Sequence, residues 1–360
     1  MKKEEKSLIE IVGEKTREVI EKFRQRATPR IPMKVCMMGP RSVGKTTILT
    51  AVFCDTQENL GVHTELLLQA EGDTSAQLTD KQHYLEAIFV NRTLITDRPV
   101  AGLAASSTVN TFDFVFGLKG KEPRIELEIK DFPGEFVLDK PEEVKQFINE
   151  SSAILVAIDT PHLMEEEGDF CEAKNKPSVI TRFFKEQKNI GEKLILFVPL
   201  KCERYYYENR MDEVLSRVEM VYADLIADFK KNEKVACAVT PILTLGDVEL
   251  DQFKKTEGIV GVDVNECPTK VLYRFKGDNP KYNPAYCVQP LYYTLSFLAS
   301  QYGRAKRNRK IIDKIFASLY SLFDSDERLF DEILKMEKYR KTDLPGYKVE
   351  CGSNLFKFSD

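Results

Sequence analysis

Histidine is scarce in this chain of 360 residues: there are 3, at His63, His83 and His162. The 8 cysteines, at 36, 54, 171, 202, 237, 267, 287 and 351, include no C-x-x-C pair, and none stands at metal-ligand spacing from a histidine. That pattern argues against the common structural zinc frameworks. No apolar run approaches the roughly 18 residues that a membrane-spanning helix needs. The start, MKKEEKSLIE, mixes charges of both signs, unlike a secretory leader. Net charge is low as well, since 53 basic against 57 acidic side chains leave −4. A polybasic nucleic-acid-binding protein is thereby excluded, though not a local basic patch. With 18 glycines, 16 prolines and 42% hydrophobic residues the chain is neither fibrous nor disordered. Its length supports a large core without disulfide staples. Scattered cysteines and no export signal lead us to expect reduced thiols and a cytoplasmic location.

What the sequence does contain is alternation of apolar β-type runs with helical stretches. Residues 1–30 carry Leu8, Val12, Thr16, Val19 and Phe23 along one stripe of an amphipathic helix that Pro29 and Pro32 end. That helix either docks on its own domain or pairs with a partner. A buried strand is expected at Met33–Met38, and further strands at TFDFVFGL (111–118), RIELEIKDF (124–132), SAILVAIDT (152–160), KLILFVPL (193–200) and ACAVTPILTL (236–245). Helical stretches fall around 76–89 and 210–231. The result is an α/β fold, a mostly parallel doubly wound sheet. The turn GKEP joins 111–118 to 124–132 as a hairpin, giving one antiparallel edge strand.

Beyond residue 245 the pattern loosens. GDVELDQFKKTEGIVGVDVNE (246–266) reads as a loop insertion, KVLYRFKG (270–277) as an extra strand, and Pro290–Arg304 as a closing helix. Two more helices follow, about 308–323 and 325–341, with Asp324 or Ser325 as N-cap. The last segment, 342–360, looks irregular. Arg304, Lys306, Arg307, Arg309 and Lys310 form a basic head before the apolar positions Ile311, Ile312, Ile315, Phe316, Leu319 and Phe323. Such a segment, 304–323, either lies on an anionic membrane surface as a peripheral contact, pairs with an acidic partner, or packs its stripe into the core.

The strongest motif is Gly39-Pro40-Arg41-Ser42-Val43-Gly44-Lys45-Thr46, which fits G-x-x-x-x-G-K-[ST] at every fixed position. Gly39 and Gly44 let the backbone curl so that successive N–H groups face phosphate oxygens. The helix that begins at Lys45 aims its positive end at the same anion. Lys45 supplies a mobile charge to the β- and γ-phosphates, Thr46 a hydroxyl to Mg²⁺, and Thr47 continues the first turn. The second acidic site is Asp131, at the end of the 124–132 strand, where it faces the ligand crevice and can hold Mg²⁺ through water. Gly134, three residues on, can give its N–H to a γ-phosphate.

Carried by GPRSVGKT and DFPG, the sequence resembles P-loop GTPases of the TRAFAC (Ras-like, translation-factor-related) class. The resemblance implies a P-loop NTPase G domain binding GTP/GDP, with Mg²⁺ as cofactor. It places Lys201 and Glu203 of Leu200-Lys201-Cys202-Glu203 at the family's base-reading motif, with Leu200 where Asn or Thr is usual. Lys201 would cover the base face, and the Glu203 carboxylate would accept from the guanine N1 and N2 edge. It makes Thr108 the switch-loop metal ligand, with Ser107 and Thr111 as alternatives, and puts Glu135 where a water-orienting Gln is common. Arg41 is a candidate for added positive charge during hydrolysis, in cis or across a dimer. The long stretch between Thr46 and Thr108 resembles the bacterial double-GTPase branch, associated with conflict and defence gene neighbourhoods. On this reading residues 1–30 are an N-terminal amphipathic helix, 31–305 a G domain with insertions at about 53–106 and 246–285, and 306–360 a C-terminal helical extension. The expected partners are a guanine nucleotide and a protein or nucleotide-dependent dimer, with no nucleic acid. Slow GTP hydrolysis as a switch is the function implied. A non-hydrolysing nucleotide-bound interaction module and a P-loop ATPase are the alternatives.

Overall fold

The computed structural model describes residues 30–39, 43–56, 60–91, 109–133, 136–187, 190–255, 269–307 and 314–355. The N-terminal amphipathic helix lies outside them. The main strands are β1 (Ile31–Gly39), β2 (Leu66–Ala70), β3 (Asn110–Leu118), β4 (Ile125–Pro133), β5 (Ala153–Asp159), β6 (Lys193–Leu200) and β7 (Val235–Val239). Two further strands, β8 (Val248–Lys255) and β9 (Thr269–Phe275), form a separate antiparallel hairpin, and β10 (Lys348–Cys351) returns to the main sheet. The sheet order is β10-β7-β6-β5-β1-β4-β3-β2. β4, β1, β5, β6 and β7 run parallel, with β1 between β4 and β5.

Strict period-2 alternation explains why the parallel strands read as unbroken apolar runs. On β5, Ala153, Leu155 and Ala157 enter one core while Ile154, Val156 and Ile158 enter the other. On β6, Leu194, Leu196 and Val198 face the first, and Ile195 and Phe197 the second. The first core is closed by α1 (Lys45–Asp55), α9 (Gln289–Arg307), α10 (Lys314–Ser325) and α11 (Glu327–Met336). The second is closed by α3 (Pro141–Glu150), α5 (Pro177–Lys185), α7 (Met211–Val221) and α8 (Ala223–Lys230). Helices on both faces make the sheet doubly wound. The remaining helices used below are α2 (Asp73–Asn91), α4 (Thr160–Met164) and α6 (Glu203–Tyr207).

Four expectations change. The 111–118 strand is antiparallel to β4, but it is not an edge: β2 pairs on its far side. The segment read as a loop insertion begins with β8, since Val248, Leu250 and the facing Val271 and Tyr273 share a buried face. The tail read as irregular forms β10, antiparallel to β7. The cap of α11 is Asp326, whose carboxylate accepts from Leu329 N at 3.1 Å, one residue later than expected. On α10, Leu322 and Phe323 are buried, and Phe323 packs on Tyr302 and Phe330, while residues 308–313 lie outside the description. No described helix is long and apolar enough to cross a membrane.

The tail belongs to the first core: Leu355 is fully buried there. Leu355→Ala is expected to cost about 2–5 kcal/mol in chemical denaturation. A change under about 0.5 kcal/mol, the range of surface substitutions, would show instead that the tail is only appended to the sheet.

Candidate functional site

The parallel strands end along one edge, and ligands of open α/β sheets bind in the crevice outside it. β1 leaves this edge through Gly39, with φ +150°. A β-carbon there would lie 2.6 Å from the Ala157 carbonyl oxygen of β5, so no side chain fits. Gly44, at φ +109°, is the N-cap of α1, and its carbonyl accepts from Ile48 N at 3.0 Å. Val43 is buried beside it, and Thr46 and Thr47 are half-buried in the first helical turn.

Lys45 is buried in that turn. Its Nζ donates to the Gly39 carbonyl at 2.9 Å and lies 3.4 Å from Asp131 Oδ1. Asp131 stands on β4, in register with Met37 of β1 and Asn110 of β3. Burial pushes its carboxyl up from the ordinary range, and the Lys45 ammonium opposes that. Among the described residues its Oδ1 has no well-formed hydrogen bond, and the Lys45 ammonium is its ion-pair partner. The structure therefore brings together Gly39, Gly44, Lys45 and Asp131. Pro40, Arg41, Ser42, Thr108, Gly134 and Glu135 lie outside the described residues.

Two strands away, β6 delivers the other expected pair. Leu200 is fully buried in the first core, and its Cδ1 lies 4.0 Å from where a β-carbon on Gly44 would sit. Lys201 follows in the left-handed region at φ +60°, which few non-glycine residues adopt. Its Nζ donates to Asp159 Oδ2 at 2.8 Å and lies 6.0 Å from the centre of the Tyr273 ring on β9. Glu203 opens α6 and is buried. Its Oε1 accepts from Leu245 N at 2.5 Å, which ties the segment after β7 to the end of β6. Its Oε2 is buried with no well-formed hydrogen bond among the described residues, while the backbone N–H groups of Glu203 and Thr244 lie near the carboxyl. Burial pushes the Glu203 carboxyl up to about 8, against the Leu245 N–H that favours its charged form.

Asp159 was not singled out by sequence. It caps α4 and is fully buried, with Oδ1 2.6 Å from His162 Nδ1, while His162 Nε2 lies 2.8 Å from Thr269 Oγ1. Burial alone would raise its carboxyl; the Lys201 ammonium and His162 outweigh that and hold it well below the ordinary carboxylate range. The signal was available: an Asp ending a wholly apolar parallel strand, the rule that picked out Asp131. Among the described residues no group of three or more His, Cys, Asp or Glu side chains is placed to hold a metal ion.

No protein-family model matches the sequence, and no curated protein matches it. Among solved structures the chain is similar to the S. cerevisiae Ski7 GTPase-like domain bound to GTP, at 15% identity and TM-score 0.37 over 63% of this chain and 45% of that one. It is similar to bacterial selenocysteine-specific elongation factor EF-Sec at 16% identity and TM-score 0.29, over 60% of this chain and 26% of that one. Era, in complex with MgGDPNP and 16S ribosomal RNA nucleotides 1506–1542, gives 13% identity and TM-score 0.29 over 76% and 68%. The chain thus spans less than half the length of the Ski7 chain. At these scores the likeness carries no argument about ligand or activity.

Two outcomes follow from the buried carboxyls. Asp159→Ala removes the carboxylate that Lys201 and His162 share, and a loss of about 3–5 kcal/mol is expected in equilibrium unfolding. A loss below about 1 kcal/mol would mean that the network relaxes into water. Glu203 has the opposite sign. Its folded-state value of about 8 exceeds the ordinary 4.5, so the folded state holds the extra proton in between and stability falls as pH rises through this window. Glu203→Gln keeps the acceptor for Leu245 and removes the titration. Its melting temperature is expected to gain on the parent between pH 5 and 8, by about 1–2 °C for each kcal/mol recovered. A pH-independent difference would contradict the assignment.

Proposed function

We propose that the chain binds guanine nucleotides and slowly hydrolyses GTP as a nucleotide-dependent switch. The observation that carries this reading is the buried Lys45, held between the Gly39 carbonyl and Asp131 where the central strand meets the first turn of α1. A lysine on a glycine loop at a helix N-terminus is an anion site whose charge is already in place. On nucleotide entry its Nζ would exchange these partners for phosphate oxygens. The backbone amides around Gly44 would line the same anion.

A divalent cation fits the residues present. Asp131 offers a carboxylate oxygen faced by the Lys45 ammonium at 3.4 Å, and Thr46, in the first turn of α1, would offer a hydroxyl, the oxygen-donor chemistry Mg²⁺ selects together with phosphates. Thr108 is the proposed third protein donor. When bound, Mg²⁺ would supply charge neutralisation to the phosphates. Glu135 is proposed to orient the attacking water, and Gly134 N–H and Arg41 to meet charge on the terminal phosphate. Phosphoryl transfer draws mainly on such positioning and electrostatics.

Guanine preference rests on Glu203. In its ionised form, with one oxygen held by Leu245 N–H, the carboxylate at the end of β6 would accept from adjacent N–H donors such as guanine N1 and N2, and such donors would favour that form over the protonated one. Lys201 would lie along the base face with its stem.

Fluorescent GTP and ATP titrations with Mg²⁺, with phosphate release followed in parallel, test this reading. GTP is expected to bind at least about tenfold tighter than ATP, a difference of about 1.4 kcal/mol. Lys45→Ala is expected to abolish both binding and release. Equal or tighter ATP binding would make the chain a P-loop ATPase instead. Tight GTP binding without phosphate release, even at high protein concentration, would make it a non-hydrolysing nucleotide-bound module.

A further inference from the structure

Helix α2 arises from the long stretch between the phosphate loop and β3. It starts just after β2, at the carboxyl edge of the sheet, where Thr74 Oγ1 accepts from Asp113 N of β3 at 2.9 Å. Its buried positions are Thr74, Leu78, Leu85, Ile88 and Phe89. Leu78 belongs to the first core, together with Leu49, Phe53 and Phe112. Leu85, Ile88 and Phe89 belong to the second core, with Met38 and Phe132. Phe89 then meets Phe275 and Tyr282 beyond the hairpin, with ring centres 5.4 and 5.9 Å apart. The helix therefore crosses from one face of the sheet to the other, passing over the edge from which the phosphate loop departs.

Lys81 stands at the crossing. It lies three residues after Leu78 and four before Leu85, on the buried stripe, and it is the stripe's only charged position. Its Nζ is 5.8 Å from the centre of the Phe112 ring, and Phe112 is two residues from Asn110, the register partner of Asp131. Among the described residues no ion pair and no hydrogen bond holds Lys81. Burial lowers its ammonium from the ordinary range, and the charge that opposes this is that of Asp131. Two lysines, Lys45 and Lys81, thus bear on one carboxylate. Lys81 is half-buried, and a partly desolvated ammonium is favoured where an anion comes to meet it.

The sheet order says which end of the anion. The loops with Lys201 and Glu203 leave β6, on one side of β1, while Asp131 is on β4, on the other. A nucleotide whose base lies at β6 and whose phosphates cross the loop after β1 directs its last phosphate toward β4 and Lys81. Resting on the nucleotide-binding reading above, we propose that Lys81 is a second phosphate-binding cation, delivered by the crossing helix to the terminal phosphate of a nucleoside triphosphate. It distinguishes triphosphate from diphosphate.

Affinities of the full chain for a non-hydrolysable GTP analogue and for GDP, each with Mg²⁺, test this for the parent, Lys81→Met and Lys81→Arg. Met keeps the stem that packs on Phe112 and removes the charge. Lys81→Met is expected to weaken the triphosphate analogue about 10- to 100-fold, the range of one lost charge-assisted hydrogen bond, and GDP by less than about threefold. Lys81→Arg is expected to stay within about fivefold of the parent for both. Should the Met variant unfold, Lys81→Gln replaces it with the same expectations. Unchanged triphosphate affinity, or equal losses for both ligands, overturns the proposal while leaving nucleotide binding intact. A parent chain that binds neither ligand overturns the functional reading itself, and this proposal with it.

Discussion

A buried ammonium must be matched where it stands, and the Lys45–Asp131 pair is the match on which this molecule is arranged. Lys45 sits at a helix N-terminus, which is already positive, so its burial is tolerable only beside a carbonyl and a carboxylate. The carbonyl comes from the residue that ends β1. The carboxylate comes from β4, and it arrives there because β4 is the parallel neighbour of β1 in register from Ile31 to Gly39. The sheet order is thus also the order of the site. β4 brings the acid, β1 the glycine loop, β5 the carbonyl wall that demands Gly39, and β6 the pair Lys201 and Glu203.

Much of this was legible in the residues. Unbroken apolar runs marked the parallel strands because both their faces are buried, and the glycine spacing marked the loop because only that backbone curls tightly enough. The edges were not legible. β2 and β10 are short, and Lys348–Cys351 has no alternation strong enough to stand out; each is a strand because a neighbour offers unpaired backbone groups. The site was legible where a motif has fixed spacing, as in Gly39 to Thr46. It was illegible where a residue acts through a partner far along the chain. Asp159 and Lys201 are 42 residues apart, and only the parallel pairing of β5 with β6 joins them. Lys81 is ordinary in sequence and becomes unusual once the helix carrying it spans two cores.

The two ends of the sheet are tied to each other. β2 is held by the C-terminal helices: Glu65 N donates to the buried Glu332 of α11 at 2.8 Å, and Arg328 pairs with the Glu65 carboxylate. β10, at the opposite edge, follows those helices in the chain and lies against β7. Residues 314–355 are consequently a clasp across the first core, and α2 reaches the same region from the other direction through Leu78. Whatever shifts α2 bears on both.

Leu200 has a different bearing. Where a side-chain amide or hydroxyl would link the loop after β6 to the phosphate loop by a directed bond, this chain has an alkyl group resting against Gly44. A hydrogen bond weakens steeply with misalignment, whereas dispersion contact tolerates sliding. At this contact the end of β6 meets the start of α1 through a sliding apolar surface. Along this contact, movement at the end of β6 need not be passed on to the first turn of α1.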